Sequence, residues 1–215
     1  SDIGTIIAGG LGVGLYPTSS AEQCQYIINH ADAEVVIVDT ARQLEKILQV
    51  RAQLPKVKAI IACDEGAAGA YPGVMGYREF LEFGQAHCEQ VLPALEARGS
   101  RAQPRDTAIM VYTSGTTGRP KGACLSHQYV INSVESLLAT LPLNDADVAF
   151  SYLPYCHVAE RISGLYNRLY AGVSAYFVDD PAKLWSYLID VRPTIFPSLP
   201  RFFEKVHAQV FADLE

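Results

Sequence analysis

The sequence predicts an α/β fold of layered, largely parallel sheets with helices on both faces. Three observations predict it. Short apolar runs of strand length alternate with segments of helical periodicity from end to end. Residues 35–38, V-V-I-V, form a continuous β-branched run, as in a parallel strand covered on both faces. Ser/Thr-x-x-Glu/Gln signals, which open helices, stand directly ahead of apolar stripes.

Residues 2–8 read as the last turns of a helix, ended by Gly9 and Gly10, and residues 12–16 as a buried strand. Residues 17–20 form a turn. Ser19 with Glu22 and Ser20 with Gln23 both have capping-box spacing. Cys24, Ile27, Ile28 and Ala31 then share one helical face. After the strand at 35–38, Thr40 with Gln43 opens a second helix with Leu44, Ile47 and Leu48 as its stripe, and residues 57–62 are a third strand. That order implies right-handed βαβ crossovers. Residues 63–105 are less regular: a Gly/Ala-rich loop at 66–76, a short helix at 77–86 and a polar connector at 95–105.

Apolar runs at 108–111 and 123–125 read as strands around a loop. Ser126 can cap a helix reaching about residue 141, residues 142–147 are a turn, and 148–153 a strand. Residues 159–171 are expected to be helical with Ile162, Leu165, Tyr166 and Leu169 on one face. Gly172 ends that helix, followed by a strand at 173–178, a helix at 181–191, a short strand at 194–196 and a final helix at 200–214. The chain divides into a βαβ-type part with an irregular connector, 1–105, and a loop-containing α/β part, 106–215.

At 215 residues, nearly half of them apolar, the chain can bury a sizeable core. A net charge of −6 argues against a nucleic-acid partner, which calls for a basic face. No apolar run reaches about 18 residues, and no charged segment followed by an apolar one opens the chain. The five cysteines are odd in number and widely spaced without C-x-x-C, which suggests buried reduced thiols in a cytoplasmic protein, not a disulfide frame or zinc site.

The chemistry concentrates at 112–122, Y-T-S-G-T-T-G-R-P-K-G. Thr113, Ser114, Thr116 and Thr117 supply hydroxyls. Gly115, Gly118 and Gly122 allow φ > 0 and close approach to the backbone. Backbone N–H groups in such a turn form an anion nest, and Lys121 adds a point charge suited to phosphate. The plainer alternative is a polar surface turn that binds nothing. It is not a Walker A loop, because Pro120 precedes the lysine and an apolar run follows. A second stretch, S-Y-L-P-Y-C-H-V-A-E-R at 151–161, places His157 and the pair Glu160 and Arg161 just beyond a strand's carboxyl end, where open α/β sheets bind ligands. Taken alone, such a histidine is more often structural.

The loop resembles the phosphate loop of the adenylate-forming (AMP-binding) superfamily, which includes acyl-CoA synthetases, luciferases and peptide-synthetase adenylation domains. Residues 151–161 resemble the L-P-x-x-H-V-x-E-R block of its long-chain acyl-CoA synthetase branch. Residues 191–206, V-R-P-T-I-F-P-S-L-P-R-F-F-E-K-V, resemble a further block of that branch, with Phe203 where tryptophan is usual.

The resemblance implies part of the large domain of an ATP-dependent long-chain fatty acid–CoA ligase. ATP, Mg2+ and coenzyme A are the implied cofactors and co-substrates. Thr113, Ser114, Gly115, Thr116, Thr117, Gly118 and Lys121 would hold the triphosphate, Thr116 being the magnesium ligand. Thr116, Lys121 and His157 would be catalytic, His157 beside the carboxylate and acyl pocket, with Arg119 a solvated loop residue. Motifs for the ribose, the second magnesium ligand and the catalytic lysine of adenylation do not occur in the sequence. The chain is therefore expected to be an internal, inactive part of a longer enzyme, with small-molecule substrates, a cytoplasmic location and room for peripheral membrane contact. Two alternatives stay open: an adenylating ligase for an aryl, amino or short-chain acid, and a non-catalytic nucleotide-binding module.

Overall fold

The computed structural model describes residues 1–113 and 119–212, apart from the side chains of Pro181, Gln209 and Ala212. Its compact units are Ser1–Val130 and Ile131–Glu215.

The first unit begins with α1 (Asp2–Ile7) and β1 (Gly12–Val13), shorter than the strand read from the sequence and only partly buried. Of the two capping boxes at the next helix, α2 (Ala21–His30), the Ser20–Gln23 box forms: Ser20 Oγ accepts from the Gln23 N–H and Gln23 Oε1 accepts from the Ser20 N–H. Cys24, Ile27 and Ile28 are buried as the periodicity requires. At α3 (Ala41–Gln49), Thr40 accepts from the Gln43 N–H, but the Gln43 amide donates to the Pro17 carbonyl, so the reciprocal bond is not made.

One sheet has the order β2–β3–β4, all parallel, with β2 at Val35–Val38, β3 at Ala59–Ala62 and β4 at Val74–Gly76. Only the central strand β3 is covered on both faces. Val35, on the edge strand β2, is 50% exposed, while Val36 and Val38 point into the core with Leu44, Ile47, Leu54 and Ile60. The β-branched run therefore marks a strand correctly, but not two-sided burial.

The region 63–105 departs most from the sequence reading. The expected Gly/Ala-rich loop holds α4 (Glu65–Ala70) and β4. Two glycines lower helix propensity there. The Asp64 carboxylate offsets this by capping the Ala67 N–H at 3.0 Å, and Ala67 and Ala68 are buried. α5 (Tyr77–Ala86) matches the expected short helix. α6 (Cys88–Gly99) takes in residues 95–99 of the supposed polar connector at 95–105, contains Pro93 and buries none of its residues. Neither an internal proline nor an unburied face leaves a helical signature.

A second sheet has the order β1–β5–β6, with β5 at Thr107–Thr113 and β6 at Lys121–Ser126. β1 runs parallel to β5, a pairing that crosses the 105/106 division drawn from the sequence, and β6 runs antiparallel to β5. α7 (His127–Thr140) follows, with Ser126 Oγ accepting from the Tyr129 N–H as its sequence position predicts.

In the second unit, β7 (Val148–Ser151) pairs in parallel with β8 (Ser174–Phe177), and an isolated parallel bridge joins Ala149 to Ile195 on the other side. The helix expected at 159–171 is a π-helical stretch, Glu160–Tyr166, followed by α8 (Asn167–Ala171). Its buried side only partly follows the apolar stripe: Ile162 is buried and Leu165 and Tyr166 are half-buried. Glu160, Arg161, Ile162, Gly164, Asn167 and Arg168 are buried, while Leu169 is exposed. Gly172 closes the helix at φ 76°, a left-handed conformation that favours glycine. α9 (Leu184–Val191) and α10 (Pro200–Ala212) complete the unit. Phe196 stacks on Tyr152 at 5.4 Å and meets Phe202 edge-on at 5.0 Å, whereas Phe203 is exposed.

Candidate functional site

The glycine- and hydroxyl-rich loop is carried by a hairpin. Thr113 is the Cα partner of Lys121, Tyr112 of Gly122 and Val111 of Ala123, so the two stems meet directly at the base of the loop. Burial within the hairpin explains its stability: Ile109, Val111 and Tyr112 are buried while Thr113 and Lys121 stand exposed at the end. A Cβ at position 122 would sit 2.6 Å from Met110 Sδ and 3.1 Å from the Tyr112 ring, so a larger residue there would require the Met110 side chain to move. Of the predicted phosphate-binding set, the structure thus puts Thr113 and Lys121 opposite one another. Ser114, Gly115, Thr116, Thr117 and Gly118, and with them the magnesium assignment to Thr116, lie outside the described residues.

Both stems are held by α2, which sequence reasoning did not flag. The Tyr26 hydroxyl donates to the Pro120 carbonyl at 3.2 Å, and the Arg119 guanidinium lies over the Tyr26 ring at 5.3 Å. Arg119, read as a merely solvated residue, is exposed but has this partner. The Tyr112 hydroxyl and His30 Nδ1 are 2.6 Å apart. Burial, with smaller effects from Tyr26 and Cys124, pushes the Tyr112 phenol above its usual range and keeps it protonated. An open cleft of about 640 Å³ runs between this face of α2 and Arg119–Pro120.

In the second unit, His157 is half-buried just past β7. Its Nδ1 accepts the Ala159 backbone N–H at 3.1 Å, so the proton of the neutral ring sits on Nε2. Its backbone is held on both sides: its N–H donates to the Pro154 carbonyl, and its carbonyl accepts from the Arg161 N–H. An imidazole fixed in this way presents one N–H donor of defined position.

Glu160 and Arg161 are both buried. Glu160 turns inward, 2% exposed, and accepts from Arg168 Nη2 at 2.5 Å and from Ser151 Oγ at 2.7 Å. Arg168 also donates to the Phe150 carbonyl at 3.0 Å, and Ser151 Oγ in turn accepts from the Tyr155 hydroxyl at 2.9 Å. This buried network welds the end of β7 to the helix that follows His157. Arg168 lies outside the recognisable block, and only its helical spacing of eight from Glu160 could have signalled it.

The cysteines correct another expectation. All five are free thiols, but only Cys24 and Cys156 are buried, while Cys63, Cys88 and Cys124 are exposed. Burial raises the Cys156 thiol to about 11, so it is no nucleophile at neutral pH. Among the described residues, no group of His, Cys, Asp and Glu side chains is placed to hold a metal ion, and no helix is long and apolar enough to cross a membrane.

The profile of the family described as AMP-binding enzyme matches residues 1–214. The chain is 35% identical over 219 residues to the long-chain-fatty-acid–CoA ligase ACSBG2 of Xenopus laevis, covering 99% of this chain and 29% of that protein. Against ACSBG1 of Rattus norvegicus it is 36% identical over 217 residues, covering 98% and 30%. The chain therefore spans about 30% of the length of these relatives. Among solved structures, ATP-bound MatB from Rhodopseudomonas palustris superposes with a TM-score of 0.67 at 23% identity, over 95% of this chain and 37% of that one. The anthranilate CoA ligase AuaEII, in complex with anthranoyl-AMP, superposes with a TM-score of 0.73 at 22% identity, over 91% and 36%. At these identities the likeness shows a shared fold.

Proposed function

The chain belongs to the AMP-binding enzyme family, and on that premise we propose that it is part of an ATP-dependent long-chain fatty acid–CoA ligase. The observation that carries this reading is the 35% identity to such a ligase over 99% of the chain. The exposed Thr113 and Lys121 at the base of the loop supply donor chemistry that suits a polyphosphate.

In the proposed reaction a fatty carboxylate oxygen bonds to the α-phosphorus of ATP while the bond to pyrophosphate breaks, leaving an acyl-adenylate. The sulfur of coenzyme A then attacks the acyl carbon and AMP departs. The chain's own contribution is to position and to balance charge. Thr113, Ser114, Gly115, Thr116, Thr117 and Gly118 bind the β- and γ-phosphates through hydroxyls and backbone N–H groups. Lys121 offsets the charge that builds on the departing pyrophosphate. Thr116 is the residue here that would ligate magnesium, which when bound neutralises phosphate charge. His157 offers its Nε2–H to the substrate carboxylate. A cytoplasmic location fits the five free thiols, and peripheral membrane contact fits a substrate that partitions into bilayers.

Carboxylate-dependent exchange between ATP and pyrophosphate, with the full-length protein and acids of graded chain length, tests this. Exchange is expected to peak with long acids. Lys121→Ala is expected to slow it about 100- to 1000-fold, and His157→Ala to raise KM for the acid without raising KM for ATP. A peak with an aryl or short-chain acid would remove the substrate but keep the chemistry. Absence of exchange with every acid would leave a non-catalytic nucleotide-binding module.

A further inference from the structure

Glu22, Tyr26 and His30 recur every four residues and so form one stripe along α2. The opposite side of the helix, with Cys24 and Ile28, is anchored in the core. The stripe is therefore presented by a rigid element, and it meets the loop at both ends. Tyr26 holds Pro120 on the outgoing stem through its hydroxyl and Arg119 through its ring face. His30 holds Tyr112 on the incoming stem at 2.6 Å. The two holding residues also contact each other, their ring centroids 5.4 Å apart, and the His30 and Tyr112 rings meet edge-on at 5.7 Å.

Hairpin pairing alone already sets Thr113 opposite Lys121. What it does not do is restrain residues 119 and 120, which lie beyond the last ladder pair. A chain segment left free there would have to be ordered each time a ligand bound, at a cost in affinity. The Tyr26 bond to the Pro120 carbonyl removes that freedom in advance. The ring beneath Arg119 also fixes where its positive charge stands.

We infer that Tyr26 and His30 are positioning residues for the phosphate loop, pinning its two stems, at Tyr112 and at Arg119–Pro120, to α2 before the triphosphate arrives. Neither side chain is a catalytic residue in this assignment. The inference rests on the ligase reading above, and it predicts an effect on ATP that the acid does not feel.

The test is ATP–pyrophosphate exchange by the full-length ligase, at saturating long-chain acid for the ATP titration and the reverse for the acid. The variants are Tyr26→Phe, Tyr26→Ala, His30→Ala, His30→Asn and the double Tyr26→Ala/His30→Ala. Tyr26→Phe and His30→Ala should each raise KM for ATP about threefold, and the double variant about tenfold or more. KM for the acid should stay within about twofold of wild type, since the pins act on the loop alone. His30→Asn keeps an amide near the Nδ1 position and should restore KM for ATP. A purely structural role would lower kcat and the melting temperature together, leave KM for ATP in place and show no rescue by asparagine. Should wild type exchange normally and the double variant keep its KM for ATP, the inference is wrong and the ligase reading survives. Should wild type show no exchange with any acid, both fall.

Discussion

Glu160 is a carboxylate almost sealed from solvent, and it accepts hydrogen bonds from a strand end and from a residue two helical turns away. An ion buried in this way is tolerated only while its partners remain, because the desolvation cost of each charge is several kcal/mol. Glu160→Gln keeps the shape but leaves the Arg168 guanidinium buried without an anion. It should lower stability by about 3–5 kcal/mol, read as a shift of the urea midpoint. Arg168→Met should cost a similar amount. The double variant should cost less than the sum, since it removes both charges together; additive losses would show that the pair is not coupled. His157, three residues before Glu160, was legible from its motif, and its hydrogen-bonded tautomer was not: that depends on where the Ala159 N–H points.

At the scale of elements, the helix after β7 shows how a polar pair can be brought inside. Glu160, Gly164 and Arg168 fall on one face at intervals of four. The two long side chains meet over Gly164, where a Cβ would sit 2.7 Å from Glu160 Oε1 and 2.9 Å from Arg168 Nη2. Reading the apolar residues alone found Ile162 but missed the polar side, since the buried ion pair outweighs Leu169 in deciding which side turns inward. The β7 edge has a second polar device. Thr194 Oγ1 donates to the Asp147 carboxylate at 2.8 Å and accepts from the Val148 N–H at 2.9 Å, tying residues 194–195 beside β7. The Asn144 backbone N–H, and then Thr194, hold the Asp147 carboxyl below the usual carboxylate range. A folded-state pKa lowered in this way stabilises above the unfolded value, and the contribution is lost as pH falls below about 4. Asp147→Asn should therefore flatten the drop in melting temperature between pH 5 and pH 3, by about a degree or two at most for so exposed a group. An unchanged acid limb would remove Asp147 from the account.

At the scale of the molecule, each unit leaves large apolar side chains in water. Phe177 is 73% exposed, and Leu169, Trp185 and Ile189 are exposed in the same unit. Exposed apolar side chains promote association where they cluster. The 215-residue chain by itself is expected to bind a hydrophobic dye and to elute from gel filtration at a position that depends on its concentration; a sharp monomer peak over a hundredfold dilution, with no dye bound, would contradict this.

Local signals determined a great deal of this protein. The capping pairs before α2 and α3, the apolar stripes of those helices, the strand at Val35–Val38 and the loop motif between β5 and β6 are each written within a dozen residues. Their physics is short-range: a side chain reaching a nearby N–H, or a period matching a buried face. The family resemblance draws on the same continuous blocks. Tertiary structure alone decided the rest, because those choices join residues that the sequence keeps apart. Tyr26 meets Pro120 across 94 positions, and His30 meets Tyr112 across 82. The burial of Glu160 against Arg168, the one-sided cover of β2 and the helix hidden behind two glycines at 65–70 were likewise settled by which surfaces came together. No local pattern holds that information, since a side chain's worth depends on the partner that excludes water from it.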